Sequence, residues 1–233
     1  AALAGAILLG ARTGRFDKSG AAKPMKPFAA SSIPLVTVGV FILWLGWFGF
    51  NGGSQLAMGT FDDAVAVSNI FINTNLAACG GVLAAAVMTR LLAGKTDVVQ
   101  MLNGAIGGLV AITAEPLAPA PIAAIFIGAI GGIIVVFGTK LLFNFKIDDV
   151  VGAVPAHLFA GIWGTLAVPL TNSDANFSAQ LIGVLSINAF VFVVAYIVWA
   201  IMKNTMGIRL SKEAELKGTD VTETGVIAYA IRD

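Results

Sequence analysis

Charged and apolar positions fall in blocks along this chain. Six stretches carry no Lys, Arg, Asp or Glu: residues 27–61, 64–89, 98–114, 116–139, 150–173 and 175–202. A helix needs about 20 apolar residues to cross a bilayer, so the pattern predicts an all-α, polytopic transmembrane helix bundle with six full spans. The opening stretch, residues 1–11, is apolar from its first position, has no basic start or small-residue cleavage site, and is too short to cross alone. It reads as the end of a seventh helix, not as a signal peptide.

The basic residues then set an orientation. All fourteen Lys and Arg lie in four patches: Arg12, Arg15, Lys18, Lys23 and Lys26; Arg90 and Lys95; Lys140 and Lys146; and Lys203, Arg209, Lys212, Lys217 and Arg232. The intervening turns carry only Asp62, Asp63, Glu115 and Asp174. The positive-inside rule assigns the four patches, including the C-terminal tail, to the cytoplasmic side of the membrane. Six crossings return the chain to the side it left, consistent with this assignment. One membrane domain, 1–202, and a polar cytoplasmic tail, 203–233, follow, with a Gly-, Lys- and Pro-bearing loop at 14–34.

Composition agrees. The chain is 58% hydrophobic and 12% charged, with a mean hydropathy of +0.90, which places its apolar surface against lipid. A net charge of +1 gives no reason to invoke nucleic acid. Cys79, the single cysteine, excludes an intrachain disulfide and a multi-cysteine metal cage, and reads as a small packing residue. Glycines recur at helical spacing in Gly104/Gly107/Gly108, Gly128/Gly131/Gly132 and Gly161/Gly164, which predicts close backbone approach in a tight bundle.

Candidate chemistry is sparse. His157 is the only histidine and lies within a charge-free run, where an ionisable group by default faces a cavity or a partner. Burial disfavours the imidazolium, so a neutral ring with one donor and one acceptor nitrogen is expected, suited to lining a path for a small polar molecule or relaying a proton. A buried ring bonded to a neighbouring carbonyl is the plainer reading. Pro155 removes one backbone donor and leaves the Val151 carbonyl without its helical partner, either as a simple kink or as irregularity lining a cavity.

The segment "WLGWFGFNGGS" supplies Trp44, Trp47, Phe48, Phe50, Asn51 and Ser54 toward the outer end of the first full span. It fits an interfacial aromatic belt and equally a vestibule in which ring faces and a hydroxyl meet a small cation. Asn73, Asn75, Asn103 and Thr113 read first as interhelical hydrogen-bonding groups. Asp148 and Asp149 read as a helix N-cap at the start of the fifth span. No nucleophile–base constellation, metal-ligand set or phosphate loop is evident, so neither an enzyme nor a cofactor is indicated.

Six motifs then occur in order: "GWFGFNGGS" (46–54), "NTNLAA" (73–78), "LNGAIGGLVAIT" (102–113), "IDD" (147–149), "HLFAGIWGTLAV" (157–168) and "GIRLSKEAELKGTDVTETGVIAY" (207–229). Together they resemble the ammonium transporter (Amt) family. That resemblance implies a homotrimer with one narrow hydrophobic pore per eleven-helix subunit, and transport of ammonium or ammonia with deprotonation of the recruited cation. Phe50 resembles the inner of two stacked gate phenylalanines, Ser54 the hydroxyl of an outer ammonium site and Trp47 an indole below the gate. His157 resembles the second of a central histidine pair, and Thr113 a residue near the lumen. The tail, with Gly207, Arg209, Gly218, Asp220, Glu223, Gly225 and Tyr229, resembles the segment through which members bind regulatory proteins of the PII class.

Against the family pattern, the first pore histidine, the outer-site tryptophan, the first gate phenylalanine and a pore-side acidic residue would all fall ahead of Ala1. The chain therefore reads as the C-terminal portion of a subunit. Gly152 stands where many members carry Asp. An ammonium sensor signalling through its tail or an effector is the alternative function.

Overall fold

The computed structural model describes residues 1–16 and 28–229; the predicted cytoplasmic cations Lys18, Lys23, Lys26 and Arg232 lie outside them. The described residues form helices and loops. Every predicted run is helical: α1 is Ala2–Leu9, α2 Ile33–Gly53, α3 Phe61–Ala93, α4 Val98–Thr113, α5 Pro121–Asn144, α6 Ala160–Ala167 and α7 Phe177–Thr205. A π-helical turn, Val154–Phe159, precedes α6, and a 3-10 turn, Val168–Leu170, follows it. In the tail, α8 (Lys212–Lys217) leads to a second π turn, Asp220–Thr224.

Four of these helices, α2, α3, α5 and α7, are long and apolar enough to cross a membrane. The other two predicted spans are shorter: α4 has 16 residues, and the apolar run Val154–Leu170 is assembled from the π turn, α6 and the 3-10 turn.

Helix boundaries follow local chemistry. Thr60 caps α3 in a capping box: its hydroxyl accepts from the Asp63 amide at 3.1 Å, while its own amide donates to the Asp63 carboxylate at 3.1 Å. Gly94 ends the same helix at φ 70°, a left-handed conformation that favours glycine. Asp97 caps α4 by accepting from the Gln100 amide at 3.1 Å.

The chain divides into two compact units. The larger comprises residues 33–141 and 149–189. One core cluster within it joins Val40, Ala105, Ile106, Val135 and Ala156, with Trp44 and Trp47 packed against it; a second joins Ala77, Ala111, Ile112, Ala124 and Ile127. The predicted glycine rows do bring backbones together. A Cβ on Gly81 would collide with the Gly104 carbonyl oxygen, and backbone has no rotamer with which to yield. Gly161 is the exception, since a Cβ there would meet only Val110 Cγ1 at an ordinary 3.5 Å.

The smaller unit comprises residues 1–32, 142–148 and 190–233. Here the expectation that Asp148 and Asp149 act as one N-cap is corrected. Asp148, 6% exposed, accepts from the Arg12 backbone N–H, Nε and Nη2 at 3.0, 2.8 and 2.9 Å, and Arg15 Nε lies 3.5 Å away. Two cations converge on that carboxylate, leaving it no role at a helix start. Arg15 is itself 2% exposed, its guanidinium 4.5 Å from the centre of the Phe143 ring.

The tail is anchored in the same unit. Glu215 accepts from the Thr13 amide at 2.7 Å and the Thr13 hydroxyl at 2.8 Å, and pairs with Arg209 Nη2 at 2.8 Å. Lys203 Nζ and Arg209 Nη1 donate to the Leu8 and Leu9 carbonyls that end α1, at 2.7 and 3.1 Å.

Candidate functional site

The larger unit gathers four of the five predicted pore and binding residues around aromatic rings. Trp47, on α2, turns its indole inward and donates from Nε1 to Thr113 Oγ1 at 2.7 Å; the Thr113 hydroxyl donates to the Leu109 carbonyl at 2.7 Å. The Trp47 ring lies 6.4 Å from the His157 ring at an interplanar angle of 23°, a stacked arrangement. Phe50 follows one turn on, its ring 6.0 Å from Trp47 and tilted by 50°. Trp47 is therefore part of this cluster. Phe48 instead packs edge-on against Phe71 at 5.4 Å.

Ser54 sits at the end of the cluster. Its exposed hydroxyl donates to the Phe50 carbonyl at 2.8 Å, which leaves its oxygen lone pairs facing outward as acceptors. That is the polarity a cation with N–H donors needs, and Phe50, 63% exposed, lies four residues earlier in the chain.

The His157 side chain reaches the surface of the described residues. Its ring borders a cavity of about 310 Å³ lined on one side by Gly161 and Thr165 and on the other by Gln180, Val184 and Asn188 of α7. Gln180 and Asn188 were not singled out from sequence. Their spacing of eight places the two amides on one helical face of a charge-free run, a signal available without coordinates. Asn51, read from sequence with the aromatic segment, meets a partner the sequence did not name: its amide donates to the Thr74 hydroxyl at 2.9 Å, with both side chains fully buried.

The histidine is carried on the π turn Val154–Phe159, an irregularity sequence traced only to Pro155. Such turns inside helices are frequent at functional sites. The Asp149 carboxylate starts the turn by accepting from the amides of Gly152, Ala153 and Val154 at 3.1, 3.0 and 2.7 Å.

The predicted regulatory residues lie in the smaller unit. Gly207, Gly218 and Gly225 have φ of 75°, 113° and 71°. Arg209 holds Glu215, as above, and Asp220 accepts from the Ala228 and Val221 amides at 2.9 Å each. Those amides, Ala228 first, pull the Asp220 carboxyl below its ordinary range. Glu223 and Tyr229 are exposed.

Known proteins share both sequence and fold with this chain. A family model, Ammonium Transporter Family, matches residues 1–229. The ammonium transporter Amt2 of Archaeoglobus fulgidus is 37% identical over 248 residues, covering 98% of this chain and 52% of the relative. Ammonium transporter 1 member 1 of Arabidopsis thaliana is 32% identical, covering all of the chain and 52% of the relative. Among solved structures, a sensor Amt protein superposes with a TM-score of 0.88 at 29% identity, covering 95% of this chain and 56% of that one. Candida albicans Mep2 gives 0.79 at 28% identity, covering 96% and 52%. The chain thus spans about half the length of the curated relatives it matches. With its helices, its apolar runs and these likenesses taken together, this is a polytopic, membrane-spanning helix bundle, and the chain belongs to the Ammonium Transporter Family.

Proposed function

We propose that this chain forms one wall of an ammonium-transporting pore. The observation that carries the reading is the ring-stacked, hydrogen-bonded set of Trp47, Thr113 and His157 beside a cavity, with Phe50 and Ser54 continuing from it along α2. Ammonium is recruited by the Ser54 hydroxyl oxygen and the Phe50 ring face. One N–H bond then breaks, its electron pair staying on nitrogen and the proton passing to water, and neutral ammonia moves past Trp47 and His157. Splitting the cation has a physical motive: a charge at the bilayer centre costs about 2.5–3.5 kcal/mol even on insertion scales. Replacing His157 with Ala in the complete protein should abolish or strongly alter ammonium-dependent current. Wild-type current and selectivity in that variant would remove His157 from the pore.

The same reading places the protein in the cell inner membrane as a homotrimer in contact with lipid, with the tail in the cytoplasm and available to a PII-type regulator. Relatives named as transporters match at 37% and 32% identity across nearly the whole chain, which favours transport over the sensor alternative. Capture of a PII-type protein by the 203–233 tail, reversed by its effector nucleotide, tests the regulatory part.

A further inference from the structure

The π turn that carries His157 is preceded by a carbonyl that its own helix does not serve. Pro155 has no N–H, so the Val151 carbonyl lacks its usual helical donor four residues on. The donor comes from another helix: Asn103 of α4, only 9% exposed, gives its Nδ2 to the Val151 oxygen at 2.9 Å. The next residue, Gly152, has φ +76°, and a Cβ built on it would sit 2.5 Å from that same Asn103 nitrogen. The amide thus fills the space that the missing side chain vacates. The Gly152 carbonyl accepts from Ala156 at 3.2 Å, while Ala160 reaches back to the Pro155 carbonyl, the five-residue step that widens the turn and brings His157 round.

We propose that Asn103 is a positioning residue for His157: by supplying the donor that Pro155 lacks and packing against Gly152, it sets the register of the turn and hence the direction of the imidazole. Asn103 does not itself contact the histidine; it acts through the Val151 carbonyl and the turn. The inference deepens the pore reading above, and on that reading Asn103 tunes conduction from a distance.

The His157 ring nitrogens report directly on the register of the turn that carries them. In the complete protein labelled with 15N-histidine and held in lipid nanodiscs, with the His157 resonances assigned by their loss in H157N, N103A should displace or split the His157 imidazole resonances. G152A, which presses a methyl group onto the Asn103 amide, should displace them from the other side. N73A is the matched control, because it breaks a different amide-to-carbonyl contact, from Asn73 to Pro116 and Pro119 at 3.0 and 2.8 Å. It should leave the resonances in place. Circular dichroism identifies the variants that retain their helices, and unchanged imidazole resonances in a folded N103A or G152A variant would overturn the proposal.

Transport supplies the second arm. In the complete protein, N103A should cut the maximal rate about tenfold, the worth of one buried hydrogen bond to a carbonyl, with the KM set at Ser54 and Phe50 unchanged. A rise in KM with the maximal rate retained would count against positioning of His157. Should H157A transport normally while N103A still moves the ring resonances, the pore reading fails and the positioning role stands.

Discussion

At the scale of single residues, the bond from Trp47 to Thr113 is the contact to break first. W47F keeps a ring over His157 but loses the donor, and T113V keeps the volume but loses the acceptor. Each should lower thermal stability in detergent by about 0.5–1.5 kcal/mol, and the double variant should cost little more than either single one. Additive losses would show that the two groups do not depend on each other. His157, Trp47 and Thr113 were legible in the sequence as individual polar or aromatic intruders in apolar runs. Their partnership was not, because nothing in a periodic pattern says which of several inward groups meet across helices. Asp148 misled for a related reason. Two adjacent carboxylates before a helix look alike in sequence, yet Asp149 meets three amides whereas Asp148 meets arginines 133 and 136 positions earlier, separations at which no local rule operates.

At the scale of elements, the tail helix α8 hangs on one carboxylate. The Arg209 hydrogen bond, then the Thr13 amide, hold Glu215 at about 2, well below its ordinary 4.5. A depressed carboxyl contributes stability that is complete above its unfolded pKa and is lost as pH falls through its folded one. Anchoring of α8 should therefore weaken between pH 4.5 and about 2, read as faster proteolytic cutting after Ser211. Asp148 acts in the same direction. Burial works to raise its pKa, but hydrogen bonding to Arg12 and the charges of Arg12 and Arg15 prevail and hold it below the ordinary range. E215Q should release α8 at neutral pH while leaving Asp148 paired. Helix positions themselves were well marked by charge-free runs, since excluding ions from lipid writes directly into sequence. The shortness of α4 was written there too, since its charge-free run is only 98–114, but the π turn before α6 was not, because only Pro155 marks it.

At the scale of the whole molecule, the four basic patches predict sidedness. In a background with Cys79 replaced by Ala, a cysteine at Asp62 should react with an impermeant reagent added outside intact cells, and one at Lys95 only after the membrane is opened; both positions are exposed. Reversed labelling would invert the assignment. The seam around Gly81 carries a separate expectation: G81A should cost about 1–3 kcal/mol, because the new methyl meets a carbonyl of Gly104 and not a movable side chain. That seam has a mechanical corollary. Where main chain rests on main chain there is nothing compressible, so a bilayer under tension can tilt α3 and α4 together but has no soft layer to squeeze between them.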